Sequence, residues 1–213
     1  MDENPGDALR RIAIKLAAIA ETGLGFADDP FDRGRYVDVG KLAHELMAAV
    51  CSRPLPAFDY EIALAAGYAT PKVDVRAGIF DEEGNVLLVR ESADHGLWTL
   101  PGGWADVLET PREAIEREVL EEAGAHVRAV HLAAVVDRER WPHTPAYDRH
   151  IYKLLFVCEL LQPVSADFES NETSGIGWFS LDDLPPLSTA RVLPEQIALL
   201  HRHWSQPAPA FLD

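Results

Sequence analysis

Residues 103–125 read GWADVLETPREAIEREVLEEAGA and predict a loop followed by a helix whose two ends are marked. Thr110 is a candidate N-cap, Pro111 suits the first helical position, and Glu113 completes a T-x-x-E capping box. Gly124 suits the left-handed conformation in which many helices end. The sequence therefore predicts a helix that begins after Thr110 and ends before Gly124.

Three glutamates share one side of this predicted helix, beside an apolar stripe that can pack on a core. The stripe, at i, i+4 and i+8, consists of Ile115, Val119 and Ala123. The glutamates are Glu118, Glu121 and Glu122, and like charges at this spacing repel by roughly 0.2–0.5 kcal/mol per pair. The pattern indicates either a solvated acidic surface or a carboxylate cage for a hard divalent cation, which prefers oxygen ligands. The glycines at 102 and 103 favour the cage, because they let the backbone approach a ligand closely.

This stretch resembles the Nudix box, G-x5-E-x7-R-E-U-x-E-E-x-G-U, in which U is a bulky aliphatic residue. Every fixed position of the box is matched, and the matching residues are Gly103, Glu109, Arg117, Glu118, Glu121, Glu122 and Gly124. Ala125, at the final U position, departs from the pattern but carries no chemistry. The resemblance implies a hydrolase of pyrophosphate bonds that depends on a divalent metal.

Resemblance to one Nudix subfamily extends over nearly the whole chain. It rests on the segments TPKVDVR at 70–76, WTLPGGWADV at 98–107, LPPLSTAR at 184–191 and IAETGL at 19–24. That subfamily acts on nucleoside diphosphates linked to another moiety, such as ADP-ribose and CDP-choline, and carries a small helical N-terminal domain. The resemblance implies an α/β chain with the Nudix α/β/α sandwich around a mixed sheet, and with N-terminal helices available for dimer contacts.

The spacing of apolar residues predicts the order of the elements. Helical spacing predicts helices over 7–22, 33–50 and 194–203. Alternation predicts a half-buried strand over 72–79, with Lys72, Asp74 and Arg76 on its polar face, and further strands at 86–89, 131–137, 151–160 and 176–179. We expect a helical N-terminal domain at 1–52, a linker at 53–70, the Nudix domain at 71–205 and a C-terminal tail at 206–213.

The composition of the chain limits which molecules it is expected to bind and in which cellular compartment it is expected to lie. The formal net charge of −16 opposes non-specific binding to anionic membranes, and we expect no stable nucleic-acid partner. The sequence lacks an apolar stretch of about 18 residues and its acidic start is unlike a signal peptide. Cys51 and Cys158 lie in apolar surroundings without metal-ligand spacing, which indicates two buried thiols. We expect a cytoplasmic protein and, from the resemblance, a homodimer.

The resemblance also implies which residues bind metal. It assigns Glu118, Glu121 and Glu122 as ligands of Mg²⁺ (or Mn²⁺), with the Gly102 carbonyl as a candidate fourth ligand. Clustered cations of this kind neutralise phosphoryl oxygens, activate a water and stabilise the leaving oxygen. Arg117 and Glu109 are expected to pair and to brace the loop against the helix, and the alternative is an ordinary surface ion pair.

Glu172, in NETSG at 171–175, is the candidate general base, because some family members carry a glutamate ahead of the corresponding strand. Glu169 is a rival, and a box glutamate could itself serve as the base. The alternative without a function is a solvated loop glutamate.

Four residues are candidate substrate contacts. Arg76 could hold a phosphate and Asp74 a nucleoside or headgroup, and both could equally belong to a solvated sheet face. Trp104 could stack on a base or a quaternary ammonium, or it could pack in the core. Tyr152, which lies opposite Lys153 if its strand is regular, could contact a phosphate.

The favoured function is metal-dependent hydrolysis of the pyrophosphate bond of a small nucleoside diphosphate derivative, giving a nucleoside monophosphate and a phosphorylated second product. The alternatives are hydrolysis of nucleoside triphosphates or RNA ends, and a non-catalytic Nudix ligand sensor. The complete set of box carboxylates disfavours the sensor, and the negative charge disfavours long RNA. The residues leave open the choice between ADP-ribose and CDP-choline.

Overall fold

The computed structural model describes residues 5–50, 68–164, 170 and 172–213. Contacts divide these residues into two compact units. One holds the described residues up to Pro71 together with Tyr147–His150, and the other holds Lys72–Ala146 and Ile151–Asp213. Cys51 and most of the predicted linker lie outside the described residues, and the predicted domain boundaries stay predictions. Cys158 is a buried free thiol, as expected.

Two helices make up the first unit: α1 is Pro5–Phe26 and α2 is Pro30–Val50. The Asp29 carboxylate accepts hydrogen bonds from the backbone N–H groups of Phe31 and Asp32 at 2.8 and 3.0 Å. This cap starts α2 earlier than the predicted residue 33. In the part of the chain that the structure describes, no helix has the length and apolar character needed to cross a membrane.

The apolar faces predicted for these helices are only partly buried. Helix α1 buries Ala13, Ala20 and Leu24. Ile12 and Ile19 of the same helix remain 47 and 54% exposed. Exposed apolar side chains grouped on one helix mark a surface that can contact another molecule.

The second unit contains seven strands and two longer helices among its described residues. The strands are β1 (Lys72–Ile79), β2 (Val86–Glu91), β3 (Trp98–Thr99), β4 (Val127–Asp137), β5 (Ile151–Leu160), β6 (Thr173–Phe179) and β7 (Phe211–Leu212). The helices are α3 (Pro111–Ala123) and α4 (Pro194–Ser205), and a 3-10 turn spans Arg138–Arg140. The sequence did not predict β3 and β7, because strands of this length have no readable periodicity. Strands β4 and β6 begin earlier than predicted.

The strands form two sheets, in the orders β1-β5-β4-β7 and β3-β2-β6. Strands β1 and β5 are parallel whereas β4 and β5 are antiparallel, so the larger sheet is mixed. Phe156 of β5 packs in the core that contains Ile115 of α3, and its neighbour Leu155 packs in the core that contains Leu200 of α4. Since neighbouring residues of a strand face opposite sides, a helix covers each side of this sheet. The predicted α/β/α sandwich is confirmed.

Strand β1 is buried on both faces, which corrects the prediction of a half-buried strand. Residues 101–105 run along its free edge, and the N–H groups of Val75 and Ala77 donate to carbonyls of this segment at 2.8 and 2.9 Å. Asp74 and Arg76 are 6 and 4% exposed. The alternation separated the two faces correctly, but it could not show that the polar face is covered.

Candidate active site

Helix α3 begins and ends where the sequence predicts. The Thr110 hydroxyl accepts from Glu113 N at 3.2 Å, and Thr110 N donates to the Glu113 carboxylate at 2.8 Å, which completes the capping box. Gly124 adopts φ 59° and donates its N–H to Leu120 O at 2.9 Å. Neighbouring residues thus determine both ends of the helix that carries the three glutamates.

The three glutamates of α3 differ in burial. Glu118 and Glu122 are buried, at 8 and 4% exposure. The side chain of Glu121 is 53% exposed. Ile115 and Val119, which anchor the helix in the core, are completely buried. Glu118 and Glu122 flank this apolar stripe and are buried together with it, whereas Glu121 faces solvent.

Arg117 links the carboxylates around α3. Its Nε and Nη2 donate to the two oxygens of Glu109 at 2.8 and 3.0 Å, a bidentate pair. Its Nη1 donates to Glu118 Oε1 at 2.9 Å and to Glu121 Oε2 at 2.8 Å. The structure therefore places Glu109 of the loop in direct contact with the helix, through the arginine expected to brace it.

Two glycines let the loop before α3 pass close to its surroundings. Gly102 donates its N–H to Glu122 Oε2 at 2.8 Å. Gly102 has φ 135°, and a Cβ there would lie 2.1 Å from Val75 O, so only glycine fits. A Cβ at Gly103 would lie 2.7 Å from Glu118 Oε2. Glycine at 102 thus lets the loop pack on β1, and glycine at 103 leaves space for the Glu118 carboxylate.

Burial raises the pKa of both buried carboxylates. It raises the pKa of Glu122 to about 8, although Arg76 and the N–H of Gly102 act to lower it. It also raises the pKa of Glu118, while Arg117 acts to lower it. An additional cation close to both carboxylates would favour their ionised form. The electrostatic state of this pair therefore suits a cation site.

A second group of charged side chains is buried on β1 and β5. Asp74 accepts from Arg76 Nη2 at 2.8 Å and from Lys153 Nζ. Burial alone would raise the pKa of Asp74, but the two cations lower it to about 2. Burial lowers the pKa of Lys153 to about 8, although Asp74 acts to raise it. Arg76 also donates from Nη1 to Leu100 O at 3.1 Å.

Comparison with known proteins identifies the family. The family model of the NUDIX domain matches residues 70–201. The chain belongs to the Nudix family. A second family model, the UDP-X-like, N-terminal oligomerisation domain, matches residues 7–57. The chain is 36% identical over 189 residues to the putative ADP-ribose pyrophosphatase YjhB of Bacillus subtilis (strain 168), and the match covers 88% of each chain.

Solved structures of Nudix proteins resemble this chain. A crystal structure of a UDP-X diphosphatase has a TM-score of 0.61 and 34% identity, covering 98% of this chain and 99% of that chain. A crystal structure of an ADP-ribose pyrophosphatase from Streptococcus suis 89-1591 has a TM-score of 0.58 and 38% identity, covering 67% of this chain and 98% of that chain. The predicted Nudix fold and the predicted enzyme class, a Nudix hydrolase, are confirmed.

The three candidate glutamates of the Nudix box fit a divalent cation by their chemistry, but each already has a hydrogen-bond donor within the protein. Across the described ranges, no group of three or more His, Cys, Asp or Glu side chains is gathered to hold a metal ion. Arg117 Nη1 binds both Glu118 and Glu121, and Glu122 accepts from Gly102. Their oxygen donors fit Mg²⁺ or Mn²⁺ once Nη1 releases them. The predicted ligand set stays a prediction.

Glu172 lies in a loop that is attached to the end of the Nudix helix. Ser170 and Thr173 donate their hydroxyls to two carbonyls in the last turn of α3, at 3.0 and 2.7 Å. Glu172 lies between them in sequence and is exposed. These bonds bring its loop to the helix that carries the box glutamates. Glu169, the rival candidate for the base, lies outside the described residues.

The four predicted substrate contacts fall into two groups. Trp104 and Tyr152 are each 41% exposed and therefore accessible to a ligand. Asp74 and Arg76 are buried, and they bind each other and Lys153. As predicted, Lys153 lies on the face of β5 opposite Tyr152, since one is buried and the other exposed. The structure thus separates an accessible pair from a buried pair.

Lys153 and Glu91 are charged residues near this Nudix site that sequence reasoning missed. Lys153 is a lone cation in an otherwise largely apolar strand, and this was the one feature of the sequence that could have indicated a buried charge near the site. Glu91 is buried on β2, contributes to the raised pKa of Glu122, and pairs with Arg191 Nη2 at 3.2 Å. Arg191 ends the segment 184–191 that carried the subfamily resemblance. No local pattern in the sequence shows these long-range pairings.

Proposed function

We propose that this Nudix hydrolase cleaves the pyrophosphate bond of a nucleoside diphosphate linked to another moiety, with Mg²⁺ or Mn²⁺ as cofactor. The products are a nucleoside monophosphate and the phosphorylated second moiety. The observation that carries this proposal is the complete Nudix box, whose Glu118 and Glu122 carboxylates are buried beside the glycine loop. The names of the relatives, an ADP-ribose pyrophosphatase and a UDP-X diphosphatase, support the substrate class.

Glu118, Glu121 and Glu122 are the proposed metal ligands, with the Gly102 carbonyl as a fourth. Binding requires Arg117 Nη1 to release Glu118 and Glu121. Arg117 stays in place because its Nε and Nη2 remain bound to Glu109. The pair then braces the loop while the carboxylates turn to the cation, and the unfavourable burial of Glu118 and Glu122 is relieved.

In the proposed reaction, water attacks one phosphorus while the bond from that phosphorus to the bridging oxygen breaks. The bound metal would neutralise the phosphoryl oxygens and lower the pKa of the attacking water. The carboxylate of Glu172 takes the proton of the attacking water, and the bridging oxygen leaves with the second phosphate. Attachment of the Glu172 loop to the last turn of α3 supports this role. Glu169 and the box glutamates are the alternative bases.

Trp104 and Tyr152 are the proposed accessible contacts for the substrate. The Trp104 ring could stack on the base, or on the quaternary ammonium of CDP-choline. The Tyr152 hydroxyl could donate to a phosphate oxygen. Asp74 and Arg76 were predicted as direct contacts, but their burial supports an indirect role.

We also propose that the chain forms a homodimer through α1 and α2. The match to an oligomerisation domain and the half-exposed Ile12 and Ile19 support this assembly. Light scattering coupled to size-exclusion chromatography would measure it, and a monomeric mass at micromolar concentration would contradict it.

A hydrolysis panel tests the proposed reaction. The purified chain is incubated with ADP-ribose, a UDP-linked sugar, CDP-choline, a dinucleoside polyphosphate and nucleoside triphosphates, with Mg²⁺, with Mn²⁺ or with a chelator. Products are separated by ion exchange, and a mock preparation from cells that do not express the chain controls for contaminating hydrolases. We expect metal-dependent release of AMP, UMP or CMP from a linked diphosphate.

Other outcomes of the panel separate the alternatives. Preferential release of pyrophosphate from nucleoside triphosphates would favour the triphosphate reaction and contradict the proposed substrate class. Tight binding of one compound without turnover would contradict the enzyme and favour the ligand sensor. Equal turnover by the purified chain and by the mock preparation would assign the activity to a contaminant.

A further inference from the structure

Lys153 is a buried cation that the proposed reaction does not use. It is 2% exposed and lies on β5 directly beside Asp74 of the parallel strand β1. Its ammonium group binds Asp74 Oδ1. Buried ion pairs are costly to desolvate, and well-packed apolar residues often replace them without loss of stability. The position of this ammonium therefore calls for a role other than stability.

Asp74 is shared between two cations. Arg76 donates from Nε to Asp74 Oδ1 at 3.1 Å and from Nη2 to Asp74 Oδ2 at 2.8 Å. One oxygen of the carboxylate, Oδ1, thus binds both Lys153 and Arg76 Nε. The other oxygen, Oδ2, binds Arg76 Nη2. This division leaves Arg76 Nη1 pointing away from Asp74, where it donates to Leu100 O at 3.1 Å.

These three side chains lie on the sheet face that packs against α4, not on the face that packs against α3. Gly78 and Phe80 follow Asp74 and Arg76 on the same side of β1, and both contact α4, at Leu200 and at the Trp204 ring. The group is therefore linked to the Nudix helix by the loop that Arg76 holds, in addition to the electrostatic effect of Arg76 on Glu122.

That loop connects the buried charges to the Nudix box. Leu100 accepts from Arg76, and two residues later Gly102 donates to Glu122 Oε2 at 2.8 Å. The intervening backbone is held on β1, because Pro101 O accepts from Ala77 N at 2.9 Å. A shift of the guanidinium would move the loop and, with it, the donor that orients Glu122.

We propose that Lys153, Asp74 and Arg76 form a positioning triad. The triad holds the loop 100–103 where the N–H of Gly102 can donate to Glu122. The proposal rests on the proposed function of Glu122 as a metal ligand. Lys153 occupies one side of Asp74, and this keeps the guanidinium in the orientation that binds Leu100. Without the ammonium, Arg76 alone holds the Asp74 carboxylate, so the carboxylate and the guanidinium bound to it shift together and Nη1 releases the Leu100 carbonyl.

Lys153→Met tests the triad, because it removes the charge with little change in volume and leaves the Asp74–Arg76 pair neutral. Leu155→Met is the matched control, since Leu155 lies two residues further on β5 and is completely buried in the apolar core. Binding of Mn²⁺ alone to the full chain is measured by electron paramagnetic resonance of free Mn²⁺. Turnover of the substrate found in the panel gives kcat and KM, and thermal melting confirms folding.

We expect Lys153→Met to weaken Mn²⁺ binding and to lower kcat, each by about 10- to 100-fold, as is typical for residues that orient metal ligands. KM for the nucleotide should stay within about twofold, because the triad does not touch substrate. Leu155→Met should change neither Mn²⁺ affinity nor kcat. In an Asp74→Asn background, Lys153→Met should add little, because both changes break the same linkage.

The sign of the change in Mn²⁺ affinity decides between explanations. If Lys153 acted only through its charge, its removal would tighten cation binding, and that result would overturn the proposal. Unchanged Mn²⁺ affinity with a lower melting temperature would show that the triad has only a structural role, and that result would also overturn the proposal. If Lys153→Met does not fold, Lys153→Leu, which likewise carries no donor to Asp74, undergoes the same comparison with the same expected result. Wild-type binding of Mn²⁺ without hydrolysis would refute the proposed function and leave the positioning role measurable.

Discussion

Replacing Gly103 by alanine should displace the Glu118 carboxylate while leaving the free energy of unfolding nearly unchanged. A Cβ at residue 103 would lie 2.7 Å from Glu118 Oε2 and 3.0 Å from its Cδ. The atoms it meets belong to the end of a flexible side chain, and Gly103 is not among the residues with positive φ. We therefore expect the loop to keep its course while the Glu118 carboxylate rotates away.

The expected cost in stability is small because opposing contributions nearly cancel. Moving Glu118 off its preferred rotamer costs about 0.5–1.5 kcal/mol. Losing its partly exposed contact with Arg117 costs about 0.5 kcal/mol more. Because alanine lowers the conformational entropy of the unfolded chain relative to glycine, the substitution also stabilises the folded state by about 0.4–1 kcal/mol. The net loss of about 1 kcal/mol corresponds to a fall in Tm of roughly 2–4 °C for a chain of this length.

The expected cost in turnover is much larger. Displacing a proposed metal ligand should lower kcat/KM by about 100-fold, measured as nucleoside monophosphate released from the best panel substrate. Gly175→Ala is the control, because a Cβ there would meet its nearest neighbours at an ordinary 3.8 Å. Gly103→Ala turnover within twofold of wild type, with the same Mn²⁺ dependence, would refute the role assigned to the Glu118 carboxylate.

The other predictions concern single residues. Glu121→Gln should lower kcat by orders of magnitude without changing the melting curve, because this proposed ligand is largely exposed; near-normal turnover would remove it from the metal site. Glu172→Gln should lower kcat while leaving Mn²⁺ affinity intact, and an unchanged rate and pH–rate profile would exclude it as the base. Gly102→Ala should lower Tm by roughly 6 °C or more, since the strain at φ 135° and the clash with backbone cost about 3 kcal/mol, and a normal Tm would contradict the tight packing on β1. Burial, with Lys153 nearby, lowers the pKa of His143 from 6.5 to about 4. Between these pH values the unfolded chain takes up a proton on His143 that the folded chain does not, so as pH falls from 6.5 to 4 the wild type should lose about 3 kcal/mol of stability relative to His143→Gln in denaturant titrations, and a constant difference between the two would contradict this.

The features of α3 could be predicted from the sequence because their causes are local. The cap at Thr110, the stop at Gly124 and the apolar stripe each depend on residues within a few positions of one another. The same is true of the Arg117 contacts with Glu118 and Glu121, which lie within one helical turn. The spacing of the Nudix box therefore predicted the family and the side of the helix that carries the glutamates.

The surroundings of β1 could not be predicted in this way. Alternation along 72–79 separated Asp74 and Arg76 from the apolar side, but the same pattern fits a solvated face and a covered one. Asp74 and Lys153, which bind each other, are 79 positions apart. Their contact depends on the register of two parallel strands, and no residue near either of them encodes it.

The sequence by itself determined the family, the helix α3 and the set of box carboxylates that this helix carries, because short-range spacing specifies all three. Only the tertiary structure decided that Glu118 and Glu122 are buried while Glu121 is exposed, and that Asp74 and Arg76 are covered. Burial depends on which segments pack over a side chain, and those segments, residues 100–105 and the strand that carries Lys153, are brought there by the fold. The electrostatic environment of the Nudix glutamates is therefore a property of packing between distant parts of the chain.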